Sequence, residues 1–470
     1  MTHRRYWFMA AAVTMAAMPL AAQKPASYRK AGSIATDTAA ASPATVNEDS
    51  LRTLRKAKAN QLLYRTIELQ HIRPADQRGL NVFEPPKEDN VPFDGMKLAW
   101  GGSFMQEFQA LGHDNTATPV MAGLVNTNQL IQIGHGFNNA VANLDLGVQL
   151  APGIRVAVTT YASARHHQET WVKDGYVLID ASPIDNAYLN AMMKVLTVRV
   201  GHFEVDYGDQ HYRRSDNGNA IHNPFVGNLL MDAFTTEIGA EVYARHDGWL
   251  AMGGLTAGEI HGQLTAADRR SPAGLAKLGY DTGLDSMFRF RLTGSVFRQA
   301  HAASQTLFTG DRGGSPYYDV LENSASTETA NAWSGNVRPG QSDNITAMVL
   351  NPFVKFGGFE FFGNLEAVTG KASAEIANRT WHQSDADLVY RFGPREQLYV
   401  GGRYNVATGT LAGAGDASVN RKAFAIGWFT TPSLLTKIEY VKQAYNDFPV
   451  TDIRNGGKFS GFMLQGTLAF

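Results

Sequence analysis

Apolar and polar residues alternate with a period of two from Met96 to the end of the chain, the pattern of β-strands with two different faces. One face of the last strand carries Phe462, Leu464, Gly466, Leu468 and Phe470. The alternation predicts sixteen strands, near residues 96–111, 140–150, 154–165, 169–180, 194–207, 235–245, 249–260, 286–297, 302–308, 342–355, 358–370, 381–392, 397–407, 419–430, 434–445 and 458–470. Except for the short ninth, each can cross a bilayer, because roughly 10 residues tilted by about 45° suffice.

The predicted connections differ in length at the two ends of these strands. Short turns contain the sequences APG, HDG, GPRE and TPS, and the other end carries the long segments 112–139, 208–234, 261–285, 309–341, 408–418 and 446–457. Outer-membrane barrels sort their connections in this way and have an even strand number, whereas the strands of soluble proteins average about 5 or 6 residues. The pattern therefore predicts an all-β fold, a transmembrane antiparallel β-barrel of about 16 strands over residues 96–470.

The N-terminal region has a different character. Residues 1–22 place basic residues before an apolar run that ends in small residues, which predicts a secretory signal peptide. A membrane anchor is the alternative, although the run is shorter than the roughly 20 residues that a spanning helix needs. Residues 23–95 are predicted to form a linker and a periplasmic helical segment, because Thr45 and Glu48 have the spacing of a capping box and open a helix that reaches residue 70. This helix packs on its own barrel, self-associates or tethers the barrel to a periplasmic partner.

Composition excludes several classes of function. The chain has 42 basic and 43 acidic residues and no cysteine. It therefore has no disulfide framework and no thiolate chemistry, and its balanced charge argues against a nucleic-acid partner. The histidines that could serve a metal or catalytic site are His166, His167, His202, His211 and His222, but no metal-ligand spacing such as a helical H-E-x-x-H occurs. We expect no enzyme activity, no metal and no cofactor.

The terminal residue Phe470 ends the apolar face of the last strand. An aromatic residue in this position is expected to face lipid within an interfacial aromatic girdle. The strand resembles the terminal signature of bacterial outer-membrane barrels, which the barrel-assembly machinery reads during insertion. The resemblance implies a Gram-negative outer-membrane location, membrane lipid and the assembly machinery as partners, and Phe470 as the insertion signal.

A second resemblance lies in the fifth predicted strand. Residues 196–210, LTVRVGHFEVDYGDQ, together with the long connection after them and the strand layout, resemble the "vGqfkvpfG" strand of the phosphate-selective porin superfamily. The resemblance implies a 16-stranded channel that assembles as a homotrimer. Glu204 and Asp206 stand where that superfamily has a basic residue and a proline, so phosphate selectivity does not follow from the resemblance.

The faces opposite the apolar ones are expected to line a wet lumen, where charges are tolerated. The candidate pore-lining or constriction residues are Arg155, Arg199, Glu204, Asp206, Arg213, Arg214, Arg289, Arg291 and Arg403. Other inward acids, among them Asp145, Glu241, Glu360, Asp385 and Asp387, nearly cancel the inward arginines in number. Because selectivity follows from rings of one charge sign, the balance predicts a weakly selective channel for passive diffusion of ions and small polar solutes. The inward charges either set a field across the pore or pair between neighbouring strands as structural ladders.

The connection 208–234 contains Arg213 and Arg214 together with the apolar sequence NPFVGNLLMDAF. It either folds inward and narrows the pore or covers the barrel mouth as a surface loop. Two other functions stay open at this point, a phosphate- or anion-selective porin and a structural or adhesive barrel without transport activity.

Overall fold

The computed structural model describes residues 64–470 except for 88, 165–169, 259–270, 284–286, 303–304, 311–313 and 328. All of them belong to one compact unit, Ala57–Phe470. Sixteen antiparallel strands, here numbered β1 to β16 in chain order, close into a barrel in which each strand pairs with its neighbours and β1 pairs with β16. The predicted transmembrane antiparallel barrel is confirmed.

The strands follow the chain without a crossover. They are β1 Lys97–Asp114, β2 Gly136–Ala151, β3 Ile154–Ser163, β4 Thr170–Ile179, β5 Leu196–Glu204, β6 Thr236–His246, β7 Trp249–Thr256, β8 Ala273–Asp281, β9 Phe288–Gln299, β10 Asp343–Phe356, β11 Phe359–Lys371, β12 Arg379–Phe392, β13 Leu398–Thr410, β14 Asp416–Thr431, β15 Leu434–Asn446 and β16 Lys458–Ala469. Two further strands, Met121–Ala122 and Val125–Asn126, form a small hairpin in the connection after β1.

Helical structure is sparse in the described part of the chain. It consists of a single 3-10 turn, Gln77–Gly79, and two short helices, Ala187–Met193 and Gln210–Arg213. Within the described residues, no helix combines the length and the apolar character that crossing a membrane requires.

One of the predicted strands is wrong. Residues 302–308 form no strand where they are described, and the missing strand is β8, which falls inside the predicted long connection 261–285. The alternation at 302–308 reflects packing inside the barrel, since both Leu307 and Phe308 are buried there. Every other predicted range overlaps one observed strand.

The connections lie at two ends, here called the turn end and the loop end. At the turn end the chain passes through residues 152–153, 180–195, 247–248, 282–287, 357–358, 393–397 and 432–433. The loop end carries residues 115–135, 164–169, 205–235, 257–272, 300–342, 372–378, 411–415 and 447–457. The longest connections are thus at the loop end, and two of them, 205–235 and 300–342, enter the interior of the barrel.

The two faces of the barrel wall differ in the way that a membrane requires. Large apolar side chains are exposed on the outer face, among them Leu98, Phe104, Leu144, Val200, Ile238, Leu278, Leu350, Leu388, Phe424, Ile438, Phe462 and Leu464. Phe470 continues this face and is 51% exposed, while its backbone exchanges hydrogen bonds with Gly102 of β1 at 3.0 and 3.1 Å. The chain terminus therefore closes the barrel and presents an aromatic ring on the outside.

The N-terminal residues differ from the prediction where they can be compared. The predicted helix over residues 45–70 lies mostly outside the described residues, and from Tyr64 to Gln70 the chain is not helical. Leu69 is buried rather than placed outside the barrel, and the backbone N–H of Gln70 donates to the inward-facing Gln149 of β2 at 3.0 Å. Residues 69–87 lie across the turn end, and they are called the strap below.

Candidate functional site

The connection 205–235, called the inward loop below, lies inside the barrel. None of its residues is exposed. Its backbone N–H groups at Val226 and Leu230 donate to wall side chains, Glu439 of β15 at 2.8 Å and Asn405 of β13 at 2.6 Å. Of the two positions that the sequence allows for this loop, the inward one is therefore the one observed.

Buried irregular backbone needs hydrogen-bond partners, and cationic side chains of the wall supply several of them. The Lys437 ammonium group donates to the carbonyl groups of Ala220, Asn223 and Phe225 at 3.0 to 3.1 Å. Arg403 donates to the carbonyl group of Gly227 at 2.8 Å. The central part of the loop is therefore bound by side chains of β13 and β15.

The first residues of the inward loop join a buried charge cluster, defined as Lys277, Arg291, Asp206, Asp209 and Glu84. Lys277 of β8 contacts Asp206 at 2.7 Å, Asp209 at 2.8 Å and Glu84 at 3.3 Å. Arg291 of β9 contacts Asp209 at 2.8 Å and Glu84 at 2.7 Å. The cluster thus ties together the wall, the inward loop and the strap.

Two opposing effects set the charge state of the loop carboxylates in this cluster. Burial by itself would raise the pKa of Asp206, but the adjacent Lys277 and His211 outweigh it and hold that pKa well below the usual range. Burial likewise opposes ionisation of Asp209, and Arg291 and Lys277 reverse the effect, so that its pKa is also depressed. Both carboxylates therefore stay ionised at neutral pH.

A third attachment of the loop lies on the wall at β2 and β4. Lys173 of β4 contacts Asp216 of the loop at 2.5 Å and Glu204 at 3.7 Å. The Asn143 amide of β2 donates to the same Asp216 carboxylate at 3.0 and 3.1 Å. The loop is consequently fixed at three places around the wall, and it crosses the lumen between them.

All nine candidate pore residues are buried or half-buried and have a partner of opposite charge. The pairs are Arg155 with Asp180 at 2.8 Å, Arg199 with Glu241, Glu204 with Lys173 at 3.7 Å, Asp206 with Lys277 at 2.7 Å, Arg213 with Asp387 at 3.5 Å, Arg214 with Asp232 at 3.8 Å, Arg289 with Asp281 at 2.5 Å, Arg291 with Asp209 at 2.8 Å and Arg403 with Asp387 at 2.6 Å. That these residues line a conducting path stays a prediction.

The pairs are of three kinds, and one of them, Arg214 with Asp232, lies within the inward loop itself. Some join neighbouring strands, as expected for ladders, for example Arg199 of β5 with Glu241 of β6. Others join the wall to the inward loop, for example Arg291 with Asp209. The ladder interpretation therefore covers only part of the charges, and the rest hold the loop in place.

Several site residues were not among the sequence candidates. Lys277 is absent because its strand was not predicted, and its partners Glu84 and Asp209 lie in irregular segments. Lys173 and Lys437 sit on predicted strands, and a lysine on the inward face of each was a usable signal. Their partners are distant in sequence, so no local pattern indicates them.

Two more segments occupy the lumen besides the inward loop. From the loop end, the Tyr317 hydroxyl group donates to Glu439 at 2.8 Å, and the Val337 N–H group donates to the carbonyl group of Leu230 at 2.8 Å. From the turn end, the carbonyl group of Asp76 in the strap lies 3.0 Å from the buried imidazole of His222 in the inward loop. The lumen is thus filled from both ends.

A cavity of about 400 Å³ remains beside the wall formed by β2 to β6, between the strap and the inward loop. Its lining includes charged groups and aromatic rings, among them Arg155, Asp145, Asp174, Glu204, Tyr176 and Tyr212. The volume is in the range of sites that hold small molecules. No group of metal-ligating side chains occurs among the residues that the structure describes.

Comparisons with known proteins find similarity in structure but not in sequence. No protein-family model matches the sequence, and a search of curated proteins finds no match. The anion-selective porin from Comamonas acidovorans is similar in structure, with 11% identity and a TM-score of 0.50, over 80% of this chain and 100% of that chain. OprB from Pseudomonas putida has 11% identity and a TM-score of 0.48, over 79% and 94% of the two chains. The outer-membrane channel DcaP of Acinetobacter baumannii has 8% identity and a TM-score of 0.47, over 80% and 98%.

Identities this low bear on the fold alone, and the resemblance to the phosphate-selective superfamily stays a prediction. The chain is a porin-like β-barrel of sixteen antiparallel strands whose lumen is occupied by its own inward loop, strap and long connection.

Proposed function

We propose that the protein is an outer-membrane channel for the passive diffusion of ions and small polar solutes, with weak ion preference. The porin-like fold, the apolar outer face and the polar interior support this function. In this proposal the signal peptide of residues 1–22 directs export, the barrel-assembly machinery inserts the chain, and the loop end faces the outside of a Gram-negative cell. The homotrimer implied by the family resemblance is part of the same proposal.

The main observation in support of weak ion preference is that the charged side chains of the lumen are paired. Pores select ions through rings of one charge sign. Each candidate arginine has a carboxylate within 4 Å, with Asp387 shared by Arg213 and Arg403, and each candidate carboxylate has a lysine partner, so these residues form no ring of one unpaired sign. A lumen of this kind supplies no continuous basic track for phosphate.

The cavity beside β2 to β6 is the proposed solute path. It lies between wall pairs such as Arg155 with Asp180 and the strap, and its lining carries both signs of charge. Aromatic rings there, including Tyr176 beside Arg199 with 5.6 Å between the guanidinium and the ring centroid, offer flat surfaces for small solutes.

The proposal is tested by planar-bilayer recording under a potassium chloride gradient. We expect discrete conductance steps, a reversal potential near zero and no block by micromolar phosphate. Replacing Arg199 by Ala should shift the reversal potential toward cations, because Glu241 then loses its cationic partner inside the lumen. The matched control is Arg454→Ala, which removes an arginine from a partly exposed pair with Asp452 in a connection at the loop end. Strong anion selectivity with phosphate block would support the phosphate-selective alternative instead.

One observation favours a second function, a structural or adhesive barrel. Three segments of the chain occupy the lumen, which a barrel without transport activity would tolerate. Absence of conductance from a correctly folded barrel, both with and without the strap, would favour that function.

A further inference from the structure

The strap contacts every hairpin of the turn end. It bonds to Gly153 in the turn between β2 and β3, where the backbone N–H donates to Gln70 at 2.9 Å. On the far side of the mouth, the Gln77 N–H donates to the carbonyl group of Pro432 between β14 and β15 at 2.8 Å, and the Gln77 amide donates to the carbonyl group of Arg395 between β12 and β13 at 2.7 Å. A single segment therefore bridges opposite rims of the barrel.

The same segment then returns along the remaining hairpins. The Asn81 amide donates to Glu360 of β11 at 2.6 Å, and Glu84 pairs with Arg291 of β9. The Pro85 carbonyl group accepts from Arg245 of β6, and Lys87 donates to the carbonyl group of Asp180 after β4 at 2.6 Å. These contacts run around the whole rim, which is what closure of the mouth requires.

The strap also rests on the inward loop. The Arg73 guanidinium group, which donates to the carbonyl group of Gly79 within the strap at 2.8 Å, also lies 3.1 Å from the His222 imidazole of the inward loop. A Cβ atom added at Gly79 would come within 2.1 Å of the Pro74 carbonyl oxygen and 2.7 Å of His222 Nε2, so the backbone there approaches the loop as closely as only glycine permits. Strap and loop form one packed layer.

We propose that the strap is a gate belonging to the chain itself, which closes the turn-end mouth when docked and opens it onto the cavity when released. The proposal rests on the proposed channel function. Most of its attachments are hydrogen bonds and ion pairs rather than a continuous apolar core. In the described strap, the deeply buried apolar side chains are Leu69, Val82 and Phe83. A segment held in this way can detach as a unit, because water replaces its polar partners when it leaves the rim.

The decisive variant lacks residues 66–87, so that Arg65 is joined directly to Glu88. We expect its single-channel conductance to be several-fold larger than that of the full chain, since the mouth is no longer covered. Circular dichroism and resistance to heat in detergent report whether the barrel still folds, so that a folding failure is recognised.

A charge-only variant tests the gate without deleting it. Glu84→Gln removes the charge of the carboxylate that accepts from Arg291 at 2.7 and 2.9 Å and that lies near Lys277. Because the Gln amide keeps only one acceptor oxygen, at least one charge-assisted hydrogen bond is lost, and the ratio of open to closed time should rise by about tenfold or more. Glu68→Gln is the matched control, because Glu68 is exposed in the same region of the chain and loses the same charge. Its gating should equal that of the full chain.

An engineered disulfide between the strap and the rim, called the lock below, tests the proposal even if the deletion variant does not fold. The chain has no cysteine, so Gln77→Cys with Pro432→Cys introduces the only two thiols, at positions whose backbones are joined by a 2.8 Å hydrogen bond, and loss of free thiol on oxidation reports whether the disulfide has formed. Openings should be absent under oxidising conditions and return on reduction, whereas each single cysteine variant should be insensitive to reductant.

The outcomes separate the gate from the channel. A folded deletion variant that conducts no ions contradicts the channel function. A deletion variant with the conductance of the full chain, or a lock that leaves openings unchanged, shows that the strap does not gate, while the channel function stands.

Discussion

Lys277 is the residue whose removal should most disturb the inward loop. It is fully buried, and its ammonium group forms ion pairs with Asp206, Asp209 and Glu84. Lys277→Met keeps the side-chain volume and removes the charge. Breaking a buried ion pair from one side costs about 3–5 kcal/mol because a charge is left without compensation. Arg291 still pairs with Asp209 and Glu84 in this variant. We therefore expect the free energy of unfolding to fall by the lower end of this range, about 3 kcal/mol.

The loss of stability in Lys277→Met should depend on pH, whereas a loss caused by a packing defect should not. In the native protein the pKa values of Asp206 and Asp209 are depressed, so their contribution to stability is present above the unfolded carboxyl pKa near 4 and is lost as the pH falls through the lower folded values. In the Lys277→Met variant, the lysine no longer opposes the effect of burial, which raises the pKa values of Asp206 and Asp209. Protonation then relieves the buried charge, and the stability deficit should shrink between pH 7 and pH 5.

The assay is urea unfolding of the barrel in lipid vesicles, followed by tryptophan fluorescence at both pH values. The control is Lys458→Met, which breaks an exposed pair with Asp114 at 3.2 Å whose loss should cost less than about 1 kcal/mol. A Lys277→Met variant within that small range at pH 7, or one whose deficit grows toward pH 5, would refute the account of the charge cluster.

Three further changes have expected outcomes. Deleting Phe470 removes both backbone hydrogen bonds to Gly102 and the terminal aromatic ring, so less folded barrel should reach the outer membrane, and unchanged amounts in membrane fractions would contradict the role of the insertion signal. Gly227→Ala places a Cβ atom 2.1 Å from the Tyr317 hydroxyl oxygen, and the overpacking should cost about 1–3 kcal/mol in urea unfolding, whereas no loss would show that the two segments separate freely. Burial raises the pKa of Glu322 in the connection 300–342 to about 7, with Asp319 adding to the effect, so ionisation opposes folding above the unfolded pKa near 4. Glu322→Gln should therefore stabilise the protein at pH 8 and not at pH 4, and equal effects at both pH values would exclude the titration.

The barrel could be predicted from sequence because alternation is a local property. Phe462, Leu464 and their neighbours reveal the outer face directly. The pattern failed at β8 because its outer face begins with Gly274 and Ala276, so that apolar and polar positions hardly differ there. It gave a false strand at 302–308 because Leu307 and Phe308 are both buried within the lumen.

The interior could be predicted only in part. Inward charges such as Arg291 and Arg403 follow from the same alternation, and so does Asp387 on the strand next to Arg403, but their partners in the strap and the inward loop are far away in the chain. Arg291 meets Glu84 of the strap, and Arg403 meets both Asp387 and the carbonyl group of Gly227. No sequence pattern predicts that residues 69–87 cross the turn end, because their contacts are hydrogen bonds and ion pairs to hairpins that are distant in sequence.

The central claim is that a charge-balanced lumen conducts once its mouth is open. The most direct measurement is the reversal potential of the barrel lacking residues 66–87 under a tenfold potassium chloride gradient, where ideal selectivity would give about 59 mV in magnitude. The account predicts open channels whose reversal potential lies close to zero. A reversal potential near the ideal limit of either sign, or a folded barrel that passes no current, would contradict it.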